Sequence, residues 1–167
     1  KVESHVIFPG AGFVELILEA GAQYFEGRPF AVEDFEIRKP LILTENSASV
    51  LLEVTYEPND RTFTIQSKFE QGAAWSVHVI GSMRGERTES GFNSSTWEGA
   101  SEGLQSLDVT DFYQHMSDLG LRYGDEFRAV RELWAGGGKA AGKVSLSENI
   151  AHRAGEYCLQ TVLLDGA

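Results

Sequence analysis

The chain has 167 residues, 42% of them hydrophobic and 23% charged, the make-up of an ordinary globular chain with one core or two small subdomains, which excludes wholesale disorder. Its formal net charge of -11, with Lys and Arg scattered along the chain, argues against a nucleic-acid or anionic-membrane surface, and no apolar run approaches the ~20 residues of a membrane-spanning helix. The one cysteine, Cys158, permits no internal disulfide and fits a reducing compartment; His5, His78, His115 and His152 stand isolated, without metal-ligand spacing.

In chain order, "VIFPG" reads as a short apolar strand broken by Pro9 and Gly10. A helix is predicted from Gly12 to Phe25, with Phe13, Leu16, Ile17, Ala20 and Tyr24 at helical spacing. Val14, Leu18 and Phe25 widen that face, so the helix should be buried on most sides. Gly27 and Pro29 end it. Strands follow, each with one covered face: Ala31, Phe35 and Ile37 in "FAVEDFEIRKPLIL"; Val50, Leu52, Val54 and Tyr56 in "SVLLEVTY"; Phe63, Ile65 and Phe69 in "RTFTIQSKF"; Trp75, Val77 and Val79 in "AAWSVHVIGSM". One buried helix followed by a meander of strands implies an α+β fold, a sheet wrapped around the helix.

The Ser-, Gly- and Glu-rich stretch "GERTESGFNSSTWEGASEG" reads as a connection. "DVTDFYQHMSDLG" is a short helix with Asp108 or Thr110 as N-cap and Gly120 after its end. Phe127, Val130 and Trp134 then want burial, Gly136 to Gly138 form a turn between strands, and "KAAGKVSLS" is strand-like. Neither "GAG" at Gly10 nor "GGG" at Gly136 has the Lys-Ser/Thr partner of a phosphate loop. The last piece, "YCLQTVLLDGA", starts a second buried helix.

Taken together, "VIFPGAGFVELILEAG", "DFYQHMSDLGLRYGDEFRAVRELWAG" and "YCLQTVLLDGA", in that order and with the strand run from Phe30 to Met83 between them, make the chain resemble the dehydratase domain of modular polyketide synthases. The resemblance implies a double hot-dog: residues 1–86 as the first subdomain, 87–107 as linker, and 108–167 as the start of a second whose sheet is largely missing. It implies dehydration of a 3-hydroxyacyl thioester to an enoyl thioester, with the substrate carried on the phosphopantetheine of an acyl carrier protein and no other cofactor. It further implies neighbouring synthase domains, a homodimer in the intact synthase, and a cytoplasmic location. The alternatives are a reprogrammed relative that shifts a double bond or closes an oxygen ring, and a vestigial scaffold domain.

Residue by residue, Asp165 matches the family's catalytic acid. Pro9, Gly10, Tyr123 and Gly124 match positions that line the substrate channel. Four departures accompany the match. The family's catalytic histidine lies nine residues before the matching proline, one position ahead of Lys1; His5 is offset from that place by five residues, an odd number, which turns it to the opposite face of a strand. Ser4 replaces a glycine, Gln160-Thr161 replaces His-Pro, and Asp125 replaces the proline of Tyr-Gly-Pro. From the residues alone, Tyr123 is a half-buried turn aromatic or a channel wall. Asp165 is a dipole-stabilised, ionised residue at a helix start or a desolvated acid among Val162, Leu163 and Leu164. Gly10 is a plain turn or a backbone donor to a developing oxyanion.

Overall fold

The computed structural model describes residues 1–2, 5–43, 49–69, 74–85 and 99–166. They divide into two units: the described residues within 5–88 together with 157–159, and those within 1–4, 89–156 and 160–167.

In the first unit, β1 (Val6–Ile7) pairs antiparallel with β3 (Ile42–Leu43). Between them in sequence, α1 spans Gly10–Tyr24, starting two residues before the hydrophobic periodicity does. Pro9 is the reason: its ring holds φ at -65°, and its carbonyl accepts from the Gly12 N–H at 2.9 Å, so the first turn closes directly behind it. Four antiparallel strands follow, β2 (Phe30–Ile37), β4 (Val50–Glu57), β5 (Thr62–Phe69) and β6 (Ser76–Gly85), laid in the order β2-β6-β5-β4. Phe13 and Ile17 of α1 form one core with Leu41, Phe63, Ile65, Val79 and Met83, so the expected helix packed on an antiparallel sheet is present. Gly21 is what lets the helix lie close: a Cβ there would sit 2.3 Å from Cε2 of Phe30.

Three readings of strand and helix faces are corrected. In β2, Phe30, Val32 and Phe35 pack on the core, whereas Ile37 is 49% exposed. A bulge between Glu33 and Glu36, with Asp34 at φ +52°, shifts the alternation in mid-strand. In β6, Trp75 and Val77 are exposed, because the register slips between the pairs Ile65–Val79 and Gln66–Val77 and leaves His78 as the extra residue. In α1, Tyr24 is exposed and a carboxylate, Glu15, is buried instead.

His78 is satisfied inside the core. Its Nδ1 lies 3.0 Å from the Lys39 carbonyl, which can only accept, so Nδ1 carries a proton. In the neutral ring Nε2 then accepts from the Ser67 hydroxyl at 2.7 Å, while the imidazole stacks on Phe13 at a centroid distance of 5.8 Å. Replacing Ser67 by Ala strands Nε2 among apolar groups, and we expect a loss of about 1–3 kcal/mol in urea unfolding. An unchanged midpoint would mean that His78 finds another partner.

In the second unit, β7 (Gln105–Leu107), β8 (Val130–Gly136) and β9 (Lys139–Val144) form an antiparallel sheet in that order. The β8–β9 connection is a two-residue turn with Gly137 at φ +59° and Gly138 at φ +77°, conformations that suit glycine and match the strand twist. α2 (Val109–Asp118) is capped by Asp108, whose carboxylate accepts from the N–H groups of Thr110 (2.6 Å) and Asp111 (3.1 Å) and is held below the usual carboxylate range by those bonds. Gly120, at φ +88°, turns the chain after the helix. Val130 is buried, while Phe127 and Trp134 are half-buried. Val2 bridges to Leu121, and Lys1 and Arg122 exchange backbone hydrogen bonds of 2.6 and 2.7 Å. A one-turn α3 (Glu148–Ala151) precedes α4 (Thr161–Asp165). Among the described residues, no helix is long and apolar enough to cross a membrane.

Candidate active site

Asp165 is the fifth residue of α4. Gln160 caps that helix, its side-chain oxygen accepting from the Val162 N–H at 3.2 Å, so the residue in place of the family's histidine supplies the helix start. Val162 is buried, and Gly166 lies against Ala129, with a built Cβ only 3.0 Å from the alanine methyl. Glycine after Asp165 thus lets the end of α4 settle on the residue just before β8. In that position Asp165 is half-buried, and burial raises its carboxyl above the usual range.

Tyr123 belongs to the same unit. Burial lifts its phenol pKa, and the charges of Asp165 and Tyr113 lift it further, which places the phenol within electrostatic reach of Asp165. Gly124 follows it and opens the one-turn 3-10 segment Asp125–Phe127, so Asp125 begins a turn where the family has proline. Behind Tyr123, the Tyr113 ring meets it edge-on at 5.7 Å, and the Tyr113 hydroxyl accepts from the Val130 N–H at 3.0 Å. The Arg128 guanidinium lies 5.6 Å from the centre of the Tyr113 ring. Sequence reasoning missed Tyr113; its place one helical turn and a loop ahead of Tyr123 gives no periodic signal.

Pro9 and Gly10 lie in the other unit. Gly10 is the first residue of α1, so its N–H has no partner within the helix. A Cβ on it would come within 3.3 Å of Cδ1 of Ile37. His5 is exposed, and Ser4 lies outside the described residues. Among the described residues, one group has ligand-type atoms close enough for a metal, Glu15, Glu19 and Cys158, all within 4.8 Å. Both carboxylate oxygens of Glu15 are engaged by backbone N–H groups there, and burial, followed by the Glu19 carboxylate, pushes the Cys158 thiol away from its thiolate form.

The charged residues near the Tyr-Gly turn line a groove of about 290 Å³ between α2 and β8, with Thr110, Tyr113, Gln114, Ser117, Arg128 and Arg131 on its walls. Arg131 is held in place by Ser145, through Nε to the hydroxyl at 3.0 Å and Nη2 to the carbonyl at 3.3 Å.

A half-buried aspartate with a raised carboxyl and a half-buried tyrosine in one unit, and a helix packed on an antiparallel sheet in the other, agree with comparisons to known proteins. Residues 1–68 match the family model of the polyketide synthase dehydratase domain, and residues 93–167 that of the polyketide synthase dehydratase N-terminal domain. The chain belongs to the polyketide synthase dehydratase family. Among curated relatives, mycoketide-CoA synthase of Mycobacterium tuberculosis (strain ATCC 25618 / H37Rv) is 32% identical over 167 residues, which cover 98% of this chain and 4% of that protein. Polyketide synthase GfsA of Streptomyces halstedii is 30% identical over 173 residues, covering 100% of this chain and 2% of the relative. The dehydratase domain from the CurK module of curacin polyketide synthase superposes with a TM-score of 0.87 at 28% identity, over 99% of this chain and 60% of that one. Two variants of the CurK dehydratase, one histidine-to-phenylalanine and one aspartate-to-asparagine, are described as inactive; they superpose at TM-scores of 0.79 and 0.80, with 28% and 27% identity, over 99% of this chain and 58% of each. The chain thus spans about three fifths of the solved dehydratase domains and a few per cent of the curated synthases.

Proposed function

We propose that the domain to which this chain belongs removes water from a 3-hydroxyacyl thioester presented on the phosphopantetheine arm of an acyl carrier protein, giving the enoyl thioester. The observation that carries the reading is the half-buried Asp165, whose carboxyl is pushed toward its protonated form by burial. A general acid must hold a proton before it can give one up. In the step, a base removes the proton from the carbon next to the thioester, the electron pair forms the double bond, the bond to the 3-hydroxyl breaks, and the Asp165 proton joins the departing oxygen to make water. The resemblance gives Gly10, with no side chain and an N–H free of the helix, the role of donor to a thioester oxygen on which charge builds. Tyr123 walls the channel beside the acid. No metal or bound cofactor takes part in these transfers.

In the family the base is a histidine, whose matching position falls one residue ahead of Lys1. The two inactive CurK variants, one lacking a histidine and one an aspartate, support a His–Asp pair. The departure Gln160 does not weaken the reading, since it caps the helix of Asp165. The test is mass spectrometry of the full-length domain incubated with a 3-hydroxyacyl carrier protein. Loss of one water supports the reading, and an unchanged acyl mass rejects it in favour of a repurposed or scaffold domain.

Arg122, Arg128 and Arg131 are the cations on which an acidic carrier protein would dock to a chain of net charge -11. Reversing their charge should slow turnover of carrier-bound substrate about 10-fold and leave a small thioester mimic unaffected. Equal losses on both substrates would count against docking. The parent protein on this reading is a synthase with neighbouring domains and a homodimeric organisation.

A further inference from the structure

Val130 of β8 pairs with Val144 and Glu132 pairs with Lys143, so Arg131 between them is the extra residue of a β-bulge. A bulge re-aims the side chain it carries. The Arg131 guanidinium is held by Ser145, its Nε–H donating to the hydroxyl and Nη2 to the carbonyl, and it lines the groove between α2 and β8. The other cation of that groove, Arg128, rests over the Tyr113 ring, whose hydroxyl is fixed by the Val130 N–H. Both arginines are thus placed by uncharged groups. Among the described residues neither forms an ion pair, and no residue lining the groove is acidic. The carboxylates close by in sequence are engaged elsewhere: Asp108 by the Thr110 and Asp111 amides, Asp118 by Gln114 and Glu132 by Lys143. In a chain of net charge -11, two arginines that share a groove without a carboxylate leave a place for an anion from outside.

We infer that this groove is a phosphate-ester site and that its occupant is the phosphodiester at the carrier end of the pantetheine arm. The guanidinium N–H groups that Ser145 does not use form a planar fork suited to phosphate oxygens, and the Ser117 hydroxyl on the α2 wall is a further donor. A phosphate is small against the groove's 290 Å³ or so, which leaves room for the start of the arm along Val109, Tyr113 and Val130. Tyr113 also meets Tyr123 edge-on, so the groove shares a wall with the residue that matches the substrate channel. The choice of the pantetheine arm rests on the proposed dehydration; the anion site does not. The site also differs from electrostatic docking of an acidic carrier on the same arginines, because here a phosphate suffices and no carrier protein is needed.

The experiment uses the full-length domain and two substrates without a carrier protein, a 3-hydroxyacyl phosphopantetheine thioester and its pantetheine counterpart, which differ only in the phosphate. The parent should favour the phosphorylated substrate about 10-fold in kcat/KM, the scale of one hydrogen bond to a charged group. The preference should lie in KM, because a group remote from the reacting carbons contributes uniform binding. Arg131→Gln should bring the two substrates within about twofold of each other. Ser145→Ala, which releases the Arg131 side chain, should remove part of the preference. Lys139→Gln, which takes away a cation of the same unit outside the groove, should keep all of it. In proton–nitrogen correlation spectra, the Nε–H signals of Arg128 and Arg131 should move on addition of phosphopantetheine, and inorganic phosphate should need about 10-fold more to match it. A parent that treats the two substrates alike overturns the inference, as does a preference that survives Arg131→Gln or is lost in Lys139→Gln. Inorganic phosphate as effective as phosphopantetheine overturns the arm as occupant. If Arg131→Gln does not fold, Arg128→Gln must narrow the preference instead. If the parent domain makes no enoyl product, the proposed function fails, and the spectra alone decide the site: shifts with phosphopantetheine and none with pantetheine support it, and no shift with either overturns it.

Discussion

Asp165→Asn, made in the full-length domain, should cut enoyl formation by about 10²–10⁴-fold, the usual contribution of a positioned acid, without lowering the melting temperature at neutral pH. Asn matches Asp in size and can still hydrogen-bond, so the packing of α4 beside Ala129 is preserved, but it has no carboxylic proton to give. Burial raises the Asp165 carboxyl in the folded state, so the folded protein binds that proton more tightly than the unfolded chain does. Linkage then makes this group's contribution to stability fall as pH rises from the unfolded value, ~3.9, through the raised folded value. The Asn variant lacks that slope. It should melt like the parent in acid and at or above the parent at neutral pH. Product analysis and melting curves at both pH values, on one preparation, check the pair of expectations. Undiminished product with a lower neutral melting point would make Asp165 an ionised structural residue and would sink the acid assignment.

Phe63→Ala should be the most damaging single core truncation in the first unit, costing about 3–5 kcal/mol. The ring is 1% exposed and lies in the cluster that joins Phe13 and Ile17 of α1 to Ile65, Val79 and Met83 of the sheet. It also fills the space left by Gly81, where a Cβ would come within 2.6 Å of the ring tip, so neither strand offers a side chain to refill the hole. Urea unfolding followed by tryptophan fluorescence measures the loss. A cost below about 1 kcal/mol would show that the sheet collapses onto the cavity.

Much of the fold was legible because its signals are local. Asp108 and Gly120 mark α2 through their own bonds and dihedral, the paired glycines at 137 and 138 dictate a hairpin, and β4 and the core end of β5 keep a strict two-residue alternation. The misread faces have a different origin. The bulge at Asp34 and the slipped register at His78 are set by neighbouring strands, so the alternation counted along one strand assigned Ile37, Trp75 and Val77 to the covered side. At the candidate site, Asp165 and Tyr123 were readable through their motif, and the structure adds their shared electrostatics. Glu15 was passed over because the groups that satisfy it are far away along the chain; its only local signal is a charge in an apolar stretch.

That separation has a consequence for biosynthesis. Glu15 and its first amide partner are 143 residues apart, and a ribosome adding ~5–20 residues per second needs about 7–30 s to span that gap. During that interval the nascent helix and sheet can collapse, yet the carboxylate at their centre has no backbone amide to receive, so water or a solvating chaperone must attend it. The emerging first unit is therefore an unfinished body whose completion is timed by translation of a distant segment. Synonymous codon changes that slow elongation between residues 16 and 157 should lengthen the protease-sensitive period of nascent chains, whereas the same changes placed downstream of residue 159 should not.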